Sequence, residues 1–318
     1  MRFQLYPPLA FRELGQRDNN EDCIFPEKGK GGSETELFLV CDGMGGLDKG
    51  ELASQIVIDT VTQYLLNRSK NINEELIHSA VKTAHNALEL ELKKDSLLNR
   101  MGSTLTLLAL NTQGAIIAHI GDSRVYHIRD GKILYKTRDH KQVLDMVDDG
   151  IITFEQAKTH PWRNRLSRSI SVKRHTTEDE FRTKYDKPVV KFIEDIQIND
   201  YFFMCTDGVL EQIDDETLIN LLSTKENNNQ QKLEQILELC KGKTKDNYSG
   251  YLLQIKSIVD IPFVEEKTDS SIPINNMIGL KNYVIVAIFF LIAALTWAGY
   301  DYFKNISIER SLPKTIKK

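Results

Sequence analysis

The chain has 318 residues, 27% of them charged and 41% hydrophobic, with a formal net charge of −4 at pH 7. That length holds one large domain or two small ones, and the composition is that of a folded soluble domain, not a disordered or fibrous chain. So mild a charge excludes the basic footprint of a nucleic-acid binder. The cysteines Cys23, Cys41, Cys205 and Cys240 show neither the spacing of a disulfide framework nor a C-x-x-C pair, and point to a reducing compartment. Pro7 and Pro8 interrupt a weakly apolar opening, so no signal peptide is expected.

In chain order, residues 11–25 pack polar groups between two apolar ends, and Arg17, Glu21 and Asp22 form either a solvated charged loop or the flank of a site. Next, Leu37-Phe-Leu-Val-Cys runs straight into Asp42-Gly-Met-Gly-Gly46, which reads as a strand buried on both faces that ends in a turn. The glycines let the backbone approach a ligand closely. Residues 51–66 and 74–92 carry apolar side chains at three- and four-residue spacing and predict two amphipathic helices, the second capped by Asn73. His78 and His85 on that helix read as surface or packing residues.

Strands follow at Thr104–Leu110 and Ala115–Ile120, and a hairpin at Val125–Arg129 and Lys132–Tyr135 turns on Asp130-Gly131. Residues 141–160 predict helix, stopped by Gly150 and restarted by the capping box Thr153-Phe-Glu-Gln156. The basic segment 161–190 reads equally as a mobile flap beside an anionic substrate or as a solvated loop. Tyr201–Cys205 is a strand running into Thr206-Asp-Gly208, helices follow near 215–222 and 231–240, and Tyr251–Ile255 is the last strand.

Residues 261–282 form a linker. Tyr283 to Tyr300 is eighteen residues without a charge. As a helix it would be roughly 27 Å long, about the thickness of a bilayer core. Tyr283, Trp297, Tyr300 and Tyr302 lie near its ends as an aromatic belt would. The expectation is a transmembrane helix at 283–300, followed by a short basic tail at 301–318.

One pattern recurs through these elements. Asp42, Asp122 and Asp207 each end an apolar strand, and Asp246 immediately precedes another. Such carboxylates, if gathered at one end of a sheet, would repel one another unless hard divalent cations neutralised them. The ordered set Arg17-x-x-Asn20-Glu21-Asp22, Asp42-Gly-Met-Gly-Gly46, Gly50-Glu51-x-Ala53-Ser54, Gly102-Ser-Thr104, Gly121-Asp-Ser-Arg124, Asp139-His140, Thr206-Asp-Gly208 and Asp246-Asn247 resembles the metal-dependent Ser/Thr protein phosphatases, also called protein phosphatase type 2C. The resemblance covers about residues 11–255 and favours the bacterial branch.

The resemblance implies an α+β fold, an α-β-β-α sandwich of two antiparallel sheets flanked by helices. It also implies a centre of two Mn²⁺ or Mg²⁺ ions. Asp42 matches the carboxylate that bridges them, the Gly43 carbonyl a ligand of one, and Asp207 and Asp246 ligands of the other. Asp122, with Asp207, matches the place where bacterial relatives bind a third. Glu21 and Asp22 match residues that hold metal-bound waters, Asn247 stands beside them, and Arg17 matches the phosphate-binding arginine. The implied reaction is in-line attack of a metal-held hydroxide on phosphoserine or phosphothreonine, with no phosphoenzyme cysteine. Eukaryotic members carry histidine where this chain has Met44, and methionine cannot donate a proton.

The implied partners are phosphorylated proteins, targets of a Ser/Thr kinase, and a membrane that holds the anchor with the catalytic domain in the cytoplasm. The rival readings are a catalytically silent metal-binding scaffold that docks phosphoproteins, and a phosphatase for small phosphate esters. Silent relatives lose a metal carboxylate or the arginine, and here all are present.

Overall fold

The computed structural model describes residues 2–45, 49–67, 72–94, 99–173, 185–224 and 226–259. The chain divides into two units, Met1–Ile261 and Pro262–Lys318, and the second lies outside the described residues, as does the expected span at 283–300. Among the described residues no helix is long and apolar enough to cross a membrane.

The alternation of apolar side chains builds two antiparallel sheets that face each other. One has six strands: β1 (Arg2–Leu5), β13 (Tyr248–Val259), β12 (Tyr201–Cys205), β8 (Arg124–Arg129) and β9 (Lys132–Lys136) in that order, with β2 (Leu9–Glu13) also on β13. The other has seven: β10 (Ile170–Lys173), β5 (Arg100–Ser103), β4 (Leu37–Gly45), β6 (Leu105–Asn111), β7 (Gly114–Ile120) and β11 (Val189–Ile193), with β3 (Asp22–Phe25) also on β4.

Strand β4 is buried on both faces, as its sequence predicts. Leu37, Leu39 and Cys41 point into the core shared with α1 (Lys49–Leu66) and α2 (Glu74–Lys94), while Phe38 and Val40 point into the core between the sheets. Strand β12 repeats the division. Phe202 and Met204 face the other sheet, and Phe203 and Cys205 face α6 (Asp215–Ser223) and α7 (Asn229–Cys240). Side chains of period two therefore supply three cores and fix the α-β-β-α layering. Each fully buried residue such as Phe38 or Phe203 contributes about 1.5–3 kcal/mol of transfer free energy.

Most predicted elements are present with small shifts. Asn73 caps α2 through its side chain, which accepts from Leu76 N at 2.9 Å. The box at Thr153 and Gln156 opens α4 (Phe154–Thr159), and Gly150, at φ +69°, follows α3 (Gln142–Asp148). His78 is half-buried and His85 is buried, as packing residues are.

The two apolar ends of the stretch 11–25 belong to β2 and β3, and residues 14–21 connect them. One expectation changes. The basic segment 161–190 is neither a free flap nor a loop throughout, because Ile170–Lys173 pairs with β5 and Val189–Ile193 begins an edge strand on β7. Both are edge strands with few inward residues, Ile170 and Val172 in the first, and the surrounding Arg and Lys hide so short an alternation. The rest of that segment, residues 174–184, lies outside the described residues.

Candidate metal centre

The strand ends named by the sequence meet. Asp42 leaves β4 of the seven-stranded sheet. Asp207 begins α5 (Asp207–Leu210) directly after β12 of the six-stranded sheet, and Asp122 lies in the turn from β7 to β8 that carries the chain between sheets. One carboxylate oxygen from each lies within 4.8 Å of the other two.

The backbone around Asp42 is held so that its carboxylate faces this cluster. Its N–H donates to Thr104 Oγ1 at 2.9 Å, and its carbonyl accepts from Thr104 N at 2.8 Å and Ser103 Oγ at 3.0 Å. Thr104 is the break between β5 and β6, so a side-chain hydroxyl replaces a ladder bond where β4 needs to turn. Close approach explains the adjoining glycines. A Cβ on Gly43 would overlap the Gly50 carbonyl, and a Cβ on Gly50 would overlap the Glu21 carboxylate. Glu21, at the end of the connecting loop, and Asp22, the first residue of β3, are thereby brought beside the cluster, and β3 pairs Asp22 with Asp42. Thr206 Oγ1 donates to Asp22 Oδ2 at 2.9 Å.

Electrostatics follow from this crowding. Burial first, then the charges of Asp22, Asp207, Asp122 and Asp246, push the Asp42 carboxyl well above the usual range. Burial and the Asp122 charge raise Asp207 to about 7, and burial likewise raises Asp22 to about 7. Asp207 Oδ1 is buried with no hydrogen-bond partner among the described residues. A buried carboxylate oxygen without a donor requires a cation or a proton. An all-oxygen set of this kind suits Mg²⁺ or Mn²⁺, which take few protein ligands and keep waters. The residues present therefore fit such ions. Cysteine chemistry fits poorly, since all four cysteines are buried and burial raises each thiol above its ordinary value.

Asp246 stands beside this set, outside the group of three. Its Oδ2 accepts from Arg17 Nη2 at 2.8 Å, and its Oδ1 accepts from Asn247 N at 2.8 Å. The structure thus draws Asp122 into the central trio and gives Asp246 to Arg17, which is half exposed on the rim. Hydrogen bonding to Asp246 raises the Arg17 guanidinium further above its ordinary value. Asn247 is a clasp. Its Nδ2 donates to the carbonyls of Leu14 at 2.8 Å and Asn19 at 2.9 Å, and its Oδ1 accepts from Glu21 N at 2.8 Å. This pins the loop that carries Arg17. Asn247→Ala is expected to cost about 2–3 kcal/mol through unmade buried hydrogen bonds, lowering the melting temperature by roughly 5–10 °C. It should also raise KM for an anionic substrate, and an unchanged melting curve would remove the clasp.

Glu211 and Lys141 at this end of the fold escaped sequence reasoning, and Asp139, quoted only as part of a motif, gains a partner here. Glu211 accepts from Lys245 N at 2.9 Å and Asp246 N at 3.3 Å and so positions Asp246. Asp139 is gripped by the Arg124 fork at 2.6 and 2.8 Å. Lys141 Nζ lies 3.0 Å from Asp122 Oδ2. A lone Glu after Asp-Gly, and a Lys at the start of a helix, carry no pattern that separates them from surface charges. A cleft of about 460 Å³ opens beside the cluster, lined in part by Lys141, Asp207, Asp246 and Phe154.

Fold and site together define a class: a four-layer sandwich whose acidic end suits hard divalent cations. The chain belongs to the protein phosphatase 2C family, whose model matches residues 14–238. It is 29% identical over 210 residues to the serine/threonine protein phosphatase PstP of Mycobacterium tuberculosis, a match covering 66% of this chain but only 37% of that relative. The chain therefore spans little more than a third of the length of that curated relative. The crystal structure of the M. tuberculosis phosphatase PstP/Ppp superposes with a TM-score of 0.66 at 28% identity, covering 80% of this chain and 100% of that one. A solved catalytic domain of PstP in complex with two manganese ions gives a TM-score of 0.64 at 26% identity, covering 80% and 99%.

Proposed function

We propose that this chain is a metal-dependent protein phosphatase that hydrolyses phosphoserine and phosphothreonine in proteins, using two Mn²⁺ or Mg²⁺ ions at the acidic end of the sandwich. The observation that carries this reading is the meeting of Asp42, Asp122 and Asp207 within 4.8 Å, with Arg17 at their rim. Family membership, the activity in the name of the mycobacterial relative and the manganese in the solved domain support it. Asp42 would be shared by both ions, Gly43 would offer its carbonyl to one, and Asp207 and Asp246 would hold the other. Glu21, Asp22 and Asn247 would order the surroundings. When bound, the ions supply Lewis acidity that acidifies water and neutralises phosphoryl oxygens.

The remaining chemistry belongs to the chain. The Arg17–Asp246 ion pair is partly exposed, at 55% and 35%, so it is weak and exchangeable. If Asp246 turns to an ion, the Arg17 guanidinium is freed to grip two phosphate oxygens. Arg17→Lys is therefore expected to lower kcat/KM on a phosphothreonine peptide by about 10–100-fold, the scale of a lost charge-assisted contact. Mn²⁺ affinity, measured by calorimetry, should change little, and equal losses in both would make Arg17 structural. The function itself is tested with the purified full chain on a phosphothreonine peptide and an aryl phosphate. Mn²⁺-dependent release of phosphate that favours the peptide and stops with chelator supports the reading. Peptide binding without any release at saturating Mn²⁺ would instead leave the silent docking scaffold.

We further propose that residues 1–260 form the phosphatase domain, 261–282 a linker, 283–300 a membrane anchor and 301–318 a basic tail, with the domain in the cytoplasm. The charge-free run Tyr283–Tyr300 supports the anchor. Lys304, Arg310, Lys314, Lys317 and Lys318 after it, against Lys281 immediately before it, favour the opposite orientation. A large domain with unpaired cysteines is the harder part to export, and that consideration prevails. The check is Ser311→Cys in a chain without its own cysteines, treated in intact cells with a membrane-impermeant thiol reagent. Labelling of the tail, with a cysteine on the domain surface protected, is the expected result, and the reverse pattern sinks the orientation.

A further inference from the structure

Of the three clustered carboxylates, one already has a cation of the chain's own. Lys141 Nζ lies 3.0 Å from Asp122 Oδ2 and 3.9 Å from Asp139 Oδ2, with the Lys141 and Asp122 side chains only 18% and 7% exposed. This is not a surface lysine that happens to reach inward. Lys141 is the N-cap residue of α3, and its carbonyl accepts from Leu144 N at 2.9 Å and Asp145 N at 3.1 Å. It bridges to Leu166, and the next residue, Gln142, donates its N–H to Arg165 O at 2.9 Å. Its neighbour Asp139 is locked by the Arg124 fork. The ammonium therefore enters the acidic cluster from a backbone fixed on both sides.

We infer that Lys141 is a built-in cation that takes the place of a metal ion at Asp122 and so sets the number of ions this chain holds at two. The inference rests on the metal reading above. The reason is electrostatic. An ammonium in contact with Asp122 and a dication on the same carboxylate would lie a few ångströms apart in a partly buried site, where like charges repel strongly. Asp122 is also the member of the trio in direct contact with a cation of the chain, Lys141 Nζ at 3.0 Å. Asp42, whose surroundings are dominated by other carboxylates, and Asp207, with its unpartnered oxygen, keep their demand for metal. Lys141 is a positioning residue that acts through its contact with Asp122.

The test is a count. The full chain, purified in mild detergent and stripped with chelator, is titrated with Mn²⁺ while free Mn²⁺ is read by electron paramagnetic resonance. The wild type should bind two ions. Lys141→Met and Lys141→Gln should bind a third, Lys141→Arg should still bind two, and Lys141→Met combined with Asp122→Asn should lose the extra ion. Thermal unfolding in chelator establishes which variants are folded, and the wild-type count stands without any of them. Three ions on the wild type, or two on every folded Lys141 variant, overturns the inference while leaving the metal reading in place. No uptake of Mn²⁺ by the wild type sinks that reading and the inference together.

Discussion

Asp42→Asn is expected to reduce hydrolysis of a phosphothreonine peptide by at least about 100-fold at saturating Mn²⁺, the scale of removing one preorganised charge-stabilising group from an active site. The same substitution should make the chelator-treated protein more stable. Asp42 is repelled by Asp22, Asp207, Asp122 and Asp246, and its own burial disfavours its charge. A neutral amide relieves that strain while the backbone bonds to Ser103 and Thr104 remain. A relief of about 1 kcal/mol corresponds to a melting temperature raised by roughly 2–4 °C for a domain of this size. The two readouts move in opposite directions because binding sites hold charge in arrangements that folding alone would avoid. Near-normal turnover at saturating metal would remove Asp42 from the centre. A lower melting temperature in chelator would make it a structural residue.

The second large effect lies at the other end of β12. Asp200 is fully buried at the start of that strand, and its carboxylate lies 2.7 Å from His127 Nε2, accepts from Arg129 at 2.6 and 2.8 Å, and accepts from Gln197 N at 2.9 Å. Asp200→Ala strands these donors in the interior. Breaking a buried pair by removing one partner costs about 3–5 kcal/mol, which lowers the melting temperature by roughly 10 °C. Burial alone would raise the Asp200 carboxyl, but the bonds from Arg129 and His127 outweigh it and hold it at about 2. A depressed carboxyl stabilises the fold above its unfolded pKa of about 4. That contribution is lost as the pH falls through about 2. The gap in melting temperature between wild type and Asp200→Ala should therefore be full at neutral pH and shrink below about pH 4. A gap independent of pH would assign the loss to packing. Activity per folded molecule should persist, because Asp200 touches nothing at the acidic end.

How much of this was legible in the residues differs by element. The long apolar runs of β4 and β7 and the helices α1 and α2 each carry enough inward side chains for their period to show, and the short β12 shows because it is wholly apolar and runs into Asp-Gly. Strands β1, β2, β3, β5, β10 and β11 are four or five residues long and were missed. Each depends on a neighbour already in place, so its own alternation is too short to announce it. Thr104 was read as the start of a strand, but it breaks one, because its hydroxyl is needed opposite Asp42.

Composition and spacing by themselves determined that this chain has two-faced strands ending in Asp-Gly and paired amphipathic helices, and its ordered motifs carried the resemblance to one phosphatase family. Those properties are local, written in side-chain period and turn residues within a few positions of each other. Only the tertiary structure decided which carboxylates meet. Asp42, Asp122 and Asp207 lie far apart in the chain and come from opposite sheets and the turn between them, so their separation depends on how the two sheets face each other. It also decided that Asp246 faces Arg17 and that Asp122 faces Lys141. Charge pairing across such distances in sequence depends on a few ångströms of packing, and no periodicity records it.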